Sequence, residues 1–425
     1  MRQSAALLLF CLASAEISIQ ATSPGFVDFD RRAKAGERLN VVFFGGSLTW
    51  GANASDPQIS SWRAVVAQRL EVEYPKGRFK FWDASLGGAG ALVGVFRLER
   101  DVLRRKPDLV FIDFAVADGI ADLNPEEIAA HEAIVSRIVQ SGHAAVVQLV
   151  LPYKRDVMRG NTDGMKGRDV VIDTARRYHL GLGDAMVLCQ EFVKVGRVTA
   201  AQLWPFESNF PGDKAHDLFA DAAWRAFMEA IQSKRVCSLP PKIRYADTYM
   251  TTARVRFSSL GPAPAGWRVG LPNPIGASFD MSMSRWLDDE VIASNKREIT
   301  RKDKSKQTVT TNTAPLRVRF NGSIIMLLGE STPKSVNYRA YLDGKLVEHK
   351  GSDDKEVVYE FDAGASGKAL KGNTYHFQTI ADGLDITKDH ILEIYPIFFG
   401  DAEQELRLES ICVAGGKAAV YPVAQ

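Results

Sequence analysis

Between residues 40 and 235 the sequence alternates short apolar runs with amphipathic stretches of helical period, and that alternation leaves few folds open. Strands separated by helices must pair in parallel through crossover connections, and a parallel sheet buries both of its faces under those helices. The strand-like runs fall at 39–44, 79–83, 109–114, 144–151 and 180–184, with helical patterns at 59–74, 92–105, 125–140 and 165–179. Pro125 stands at a first-turn position, where its missing N–H removes no helical hydrogen bond. The predicted architecture is α/β, a three-layer α/β/α doubly wound parallel sheet.

From residue 236 the texture changes. Leu239, Pro240 and Pro241 mark a linker over 236–245, and the rest, 246–425, shows short alternating segments with turn signals in place of long helices. Segments 316–320, 323–328, 337–342, 357–361, 374–380 and 391–397 read as strands, and Asp343 and Gly344 supply a tight turn. A C-terminal β-sandwich, jelly-roll-like in segments 338–344 and 390–397, is the expected second domain. The basic run 296–306 mixes Glu298 and Asp303 among its cations and reads as a solvated loop.

At 425 residues the chain is long enough for two such domains, 23–235 and 246–425. Arg2 followed by an apolar run over 5–15 and small residues at Ala13, Ala15 and Ala21 reads as a secretory signal peptide, 1–22, so the expected location is secreted or periplasmic. No later run approaches the roughly 18 apolar residues of a membrane span. Fifty-three Lys plus Arg against 51 Asp plus Glu, a formal charge of +2, provide no field that would attract nucleic acid. Beyond the leader only Cys189, Cys237 and Cys412 remain; they form one bridge at most, have no metal-site spacing and read as buried thiols.

The chemistry gathers where strands end. The first strand runs into Gly45, Gly46, Ser47, Leu48, Thr49, Trp50 and Gly51; glycines beside a serine let the chain turn sharply and present the hydroxyl at the sheet edge. By itself this segment reads equally as a nucleophile turn or as a helix-capping serine. Asp213 and His216, three apart after a Trp204–Pro205–Gly212 loop, supply an acid and an imidazole. Trp50 and Trp62 either stack on a sugar or fill the core, Arg97 and Glu99 make ion pairs on a helix, and His131, His143 and His179 are structural.

Taken in order, these blocks resemble the SGNH (GDSL-like) hydrolase family. GGSLTWG is similar to its first block, with Gly46 in place of the usual Asp. The second reads Asp83, Ala84, Ser85, Leu86, Gly87, Gly88, where Gly88 matches the glycine whose N–H serves the oxyanion hole; Asp213, Lys214, Ala215 and His216 keep the spacing of the fifth. The resemblance spans about 45–220 and implies Ser47, His216 and Asp213 as a catalytic triad, with Ser47 and Gly88 as backbone oxyanion donors. It breaks at the third block, which reads Ala115, Val116, Ala117, Asp118, Gly119, so that Ala117 stands at the oxyanion-hole asparagine. Losing one such donor costs about a hundred- to a thousand-fold in rate. Natural loss of activity, a donor supplied by Asn161 or Asn209, and a substitution introduced to trap a ligand all account for it.

What the resemblance implies is an SGNH-type serine esterase, with no metal or organic cofactor. Export and the trailing sandwich point to the bacterial carbohydrate acetylesterases, hence to an acetylated poly- or oligosaccharide as partner, with the sandwich packing or presenting the glycan. Four other readings remain: a lipase or thioesterase, a glycoside hydrolase using Asp118 and Asp213, a non-catalytic glycan-binding protein, and a peptidase.

Overall fold

The computed structural model describes residues 25–122, 124–206, 209–273, 287–300, 306–310, 312–350 and 356–423; the leader read over 1–22 lies outside them. The N-terminal domain is built on a five-stranded sheet in the order β2-β1-β3-β4-β5, from β1 (Arg38–Gly45), β2 (Arg78–Ser85), β3 (Leu109–Asp113), β4 (Ala145–Val150) and β5 (Gly181–Asp184). Every pairing is parallel, as the alternation of strand and helix demands.

Its helices are α1 (Phe26–Lys34), α2 (Ser47–Trp50), α3 (Trp62–Glu73), α4 (Ala91–Asp101), α5 (Pro125–Gln140), α6 (Lys154–Met158), α7 (Lys166–Arg177), α8 (Ala185–Lys194), α9 (Ala200–Leu203) and α10 (Asp213–Gln232). Side-chain alternation along β1 sorts them into two layers. Leu39, Val41 and Phe43 pack under α1, α3, α8 and α10, while Val42 and Phe44 face α4, α5 and α7. Trp62 is fully buried in the first layer and Trp50 is nearly so, which makes both core residues. Asn124 caps α5 through bonds from the Glu126 and Glu127 N–H groups, with Pro125 at its first position.

The C-terminal part is built on two six-stranded antiparallel sheets. One runs Thr374–Ala381, Ile324–Ser331, Glu405–Ala414, Glu290–Ser294, Trp267–Gly270, with Thr252–Arg256 also paired to Glu405–Ala414. The other runs Lys345–Leu346, Asn337–Leu342, His390–Ile397, Leu316–Asn321, Ala419–Tyr421. Between them lies a core that includes Phe320, Ile325, Leu327, Tyr338, Ile394 and Ile411. Asp343 and Gly344, both at positive φ (51° and 79°), form the two-residue turn joining Leu342 to Lys345. The basic run departs from its reading as a loop: Lys296–Thr300 and Lys306–Thr310 pair as antiparallel strands. Ile299 and Thr300 near its start, and Thr308, Val309 and Thr310 just beyond it, are β-forming residues that favour an extended ladder.

The first of these sheets buries both faces. Along Ile324–Ser331 the odd residues Ile325 and Leu327 enter the sandwich core, whereas Ile324, Met326 and Leu328 join the layer formed by α4 and α5. Polar contacts reinforce the junction. Arg100 pairs with Asp288 at 2.8 Å, Arg137 donates to the Thr252 hydroxyl at 2.7 Å, and buried Glu132 accepts the N–H groups of Arg244 and Tyr245 at 2.9 and 2.8 Å. Cys189, Cys237 and Cys412 are free, and burial pushes their thiols up to about 12, 11 and 12. Because the two domains share apolar packing, Leu328→Ala should cost about 2–5 kcal/mol and lower a single calorimetric transition. Two transitions of which only one moves would show that the domains unfold separately.

Candidate active site

In the order β2-β1-β3-β4-β5 the direction of winding changes between β1 and β3, so the loops that follow β1, β2 and β3 converge at the carboxyl edge of the sheet. Hydrogen bonds tie them together. Leu86 N–H donates to Gly45 C=O at 3.0 Å, and Gly46 N–H to Asp113 C=O at 3.2 Å. A side chain at position 45 would run into Asp113 C=O and Thr49 Oγ1, so only glycine lets β1 end this tightly.

Ser47 is the first residue of α2, nearly buried, with its hydroxyl interacting with the Tyr153 phenol. Its N–H precedes the first helical bond and has no acceptor among the described residues. The same holds for Gly88 N–H, which lies in a turn at φ 75°. Two unpaired donors and a hydroxyl thus stand at one edge of the sheet, groups of the kind an acyl-transfer site uses to bind an oxyanion and to attack. Asp113, at the end of β3, is buried and its carboxyl is pushed up to about 7, against N–H bonds from Leu151 and Ala115 that favour the carboxylate.

His216 and Asp213 occupy the first turn of α10, a helix the sequence patterns above did not include. His216 is fully buried, edge-on to Phe219, with Nε2 3.3 Å from Ala52 C=O and no hydrogen-bond partner at Nδ1. Asp213 accepts from Ser55 N–H at 2.7 Å and from the Ser55 hydroxyl at 2.6 Å. Among the described residues no hydrogen bond joins Ser47 to His216 or His216 to Asp213. The link is Ala52, whose N–H donates to Ser47 C=O at 3.1 Å while its C=O faces the imidazole. Burial pulls the His216 ring down to about 4, although Ala52 C=O and Asp213 favour its protonation. Burial opposes ionisation of Asp213 too, yet the Ser55 hydroxyl and N–H hold its carboxyl below the ordinary range.

At the third block Ala117 lies beside Gly46: its Cβ is 3.8 Å from where a Cβ on Gly46 would project. The next residue, Asp118, does not face Asp213. Its carboxyl accepts Ala91 N–H at 2.7 Å and pairs with Glu127, which accepts Leu92 N–H at 2.6 Å. Burial, reinforced for Asp118 by the Glu127 charge, raises both carboxyls, and together they hold the N-terminus of α4 against the Ala117 loop. Neither asparagine considered for the Ala117 gap lines the space beside it: Asn161 accepts Asp163 N–H through Oδ1 at 3.2 Å, and exposed Asn209 accepts the Trp204 indole N–H through its C=O at 3.1 Å. The sequence reading passed over Tyr153 and Glu127. Tyr153 carried one usable signal, its place just after β4, since the other site residues also follow strands.

Comparison with known proteins bears on the family and the fold. Residues 43–218 match the model of the GDSL-like Lipase/Acylhydrolase family, which bears out the resemblance drawn from the blocks. Among solved structures, a two-domain esterase (CEX) active on acetylated mannans superposes with a TM-score of 0.67 at 20% identity, covering 92% of this chain and 95% of that one. The same esterase co-crystallized with mannopentaose gives 0.65 at 21%, with the same coverage. The acetylxylan esterase Axe2 from Geobacillus stearothermophilus covers 44% of this chain and 94% of that chain, at 20% identity and a TM-score of 0.37. Comparison with curated proteins gives no match.

A ring held near 4 against an ordinary value of 6.5 is neutral in the folded chain throughout the mildly acidic range. Nitrogen-15 NMR should therefore show His216 uncharged at pH 5.5. The unfolded chain takes up this proton first, so the contribution of neutral His216 to stability is complete above about pH 6.5 and is lost as pH falls toward 4. A ring that titrates at 6 or above would contradict both statements.

Proposed function

We propose that the chain is an exported carbohydrate O-acetylesterase that works through an acetyl-enzyme on Ser47, with His216 as general base and Asp213 as the acid that orients it. The observation that carries this reading is the meeting of the Ser47 hydroxyl with the unpaired N–H groups of Ser47 and Gly88 at the sheet's switch point. The family match over 43–218 supports acyl chemistry. The acetylated sugar comes from the two-domain esterases that act on acetylated mannans and share this two-domain fold along most of its length. The leader read over 1–22 supports export. The formal charge of +2 offers nothing to nucleic acid, and among the described residues no helix is long and apolar enough to cross a membrane.

In this mechanism the Ser47 oxygen attacks the acetyl carbonyl carbon while the imidazole takes the hydroxyl proton. The two backbone N–H groups bind the oxygen that becomes negative. Collapse of the tetrahedral species breaks the bond to the sugar oxygen, which leaves with the proton from His216. Water, deprotonated by the same imidazole, then displaces acetate from Ser47. For these steps His216 exchanges Ala52 C=O for the Ser47 hydroxyl, and the link through Ala52 keeps that exchange local. Asp213 acts through its charge and through the Ser55 loop that it holds in place.

Acetate release from acetylated polysaccharides and from a small aryl acetate tests the reading. Ser47→Ala and His216→Ala should each lower kcat by about a thousand-fold or more on both substrates. The base must be neutral in the free enzyme, so the acid limb of kcat/KM should fall near pH 4, not 6.5. Undiminished hydrolysis by Ser47→Ala would overturn the proposal.

A further inference from the structure

The gap at Ala117 borders a cavity of about 420 Å³ whose far wall belongs to the other domain. Gly88, Ala117 and Glu127 line one side; Ser366, Tyr375 and Phe377 of the sandwich line the other. Tyr375 and Phe377 lie two apart on Thr374–Ala381, so they share the face turned toward the α/β domain. Phe377 packs on Phe96 of α4, ring centroids 6.2 Å apart, and the strand is laddered to Ile324–Ser331.

That seating places the Tyr375 hydroxyl 3.3 Å from the point where a Cβ on Gly88 would project. The Tyr375 hydroxyl has no hydrogen-bond partner among the described residues. Burial, with the Glu127 charge adding to it and Arg97 opposing it, pushes the phenol up to about 12, so at neutral pH it remains an O–H donor. Gly88 N–H is itself unpaired, and the Asp118–Glu127 carboxyl pair ties the Ala117 loop to α4, immediately after the Gly88 turn.

We infer that Tyr375 is a catalytic residue contributed by the β-sandwich: its hydroxyl donates to the oxyanion of the tetrahedral intermediate and replaces the donor missing at Ala117. The sandwich thereby completes the active site in addition to packing against it. Proton bookkeeping is unchanged, because Tyr375 donates a hydrogen bond and keeps its proton throughout. This inference rests on the esterase reading of Ser47.

The test compares the full-length chain with Tyr375→Phe, Ala117→Asn, the double variant and Ser47→Ala, on an aryl acetate that carries no sugar. Tyr375→Phe should lose about a hundred-fold in kcat with little change in KM and an unchanged unfolding temperature. Ala117→Asn should restore most of that loss in the Tyr375→Phe background and add much less to the otherwise intact chain, since one donor substitutes for the other. Unchanged aryl-acetate turnover by Tyr375→Phe overturns the inference. So does a defect confined to KM for acetylated polysaccharide, which would make Tyr375 a sugar contact, and so does equal benefit from Ala117→Asn in both backgrounds. If Tyr375→Phe is silent while Ser47→Ala is dead, the esterase reading stands without it; if Ser47→Ala remains active, the esterase reading itself has failed.

Discussion

The arrangement of this molecule depends on one sheet that is apolar on both faces. Ile325 and Leu327 must enter the sandwich core while Met326 and Leu328, their neighbours along the strand, must be covered from the opposite side. Water cannot be the second neighbour of such a sheet at a hydrophobic gain of about 25 cal/mol per Å² buried. The layer of α4 and α5 supplies that cover, and its outer apolar residues, Phe96 among them, would be exposed without the sandwich. Each domain is therefore the solvent shield of the other.

That mutual burial reaches the active site through α4. Its N-terminus follows the Gly88 turn and is held by Asp118 and Glu127, and its Phe96 seats Phe377 two residues from Tyr375. Packing that began as burial of apolar area consequently sets the position of a phenol beside Gly88. The buried ion pair of Arg97 and Asp101 on the same helix, with Arg97 also donating to Ala84 C=O at 2.9 Å, stiffens the base on which β2 ends. A charge taken this far from water is kept because each of these partners is in place.

Much of the α/β domain was legible because its signals are local. The runs at 39–44 and 109–114 appear as Arg38–Gly45 and Leu109–Asp113, and the pattern at 125–140 as Pro125–Gln140 with its proline at the first position. Helix α10 is absent from the expected helices, which end at 179, because Asp213 and His216 were weighed for their spacing after a loop and not for the helix they begin, although its alanine-rich face, Ala215, Ala222, Ala223 and Ala226, packs on the sheet. The strand pair that starts in the basic run escaped because its charge was weighed above the β-forming Ile299, Thr300, Thr308 and Val309. The relation among Ser47, His216 and Asp213 is finer still: spacing places an imidazole one turn from a carboxyl, but which acceptor each group finds depends on the Ala52–Ser55 loop.

By itself the sequence determined the parallel sheet, the sandwich after it, and the three blocks that carry Ser47, Gly88 and the Asp213/His216 pair. Each is written in a period, a turn residue or a spacing within a short window. Only the tertiary structure decided that Asp118 pairs with Glu127, that His216 rests on Ala52 C=O, and that Tyr375 stands beside Gly88. Those partners are up to hundreds of residues apart and meet through packing of whole layers, and a pattern read along one chain carries no record of which distant surface will close over it.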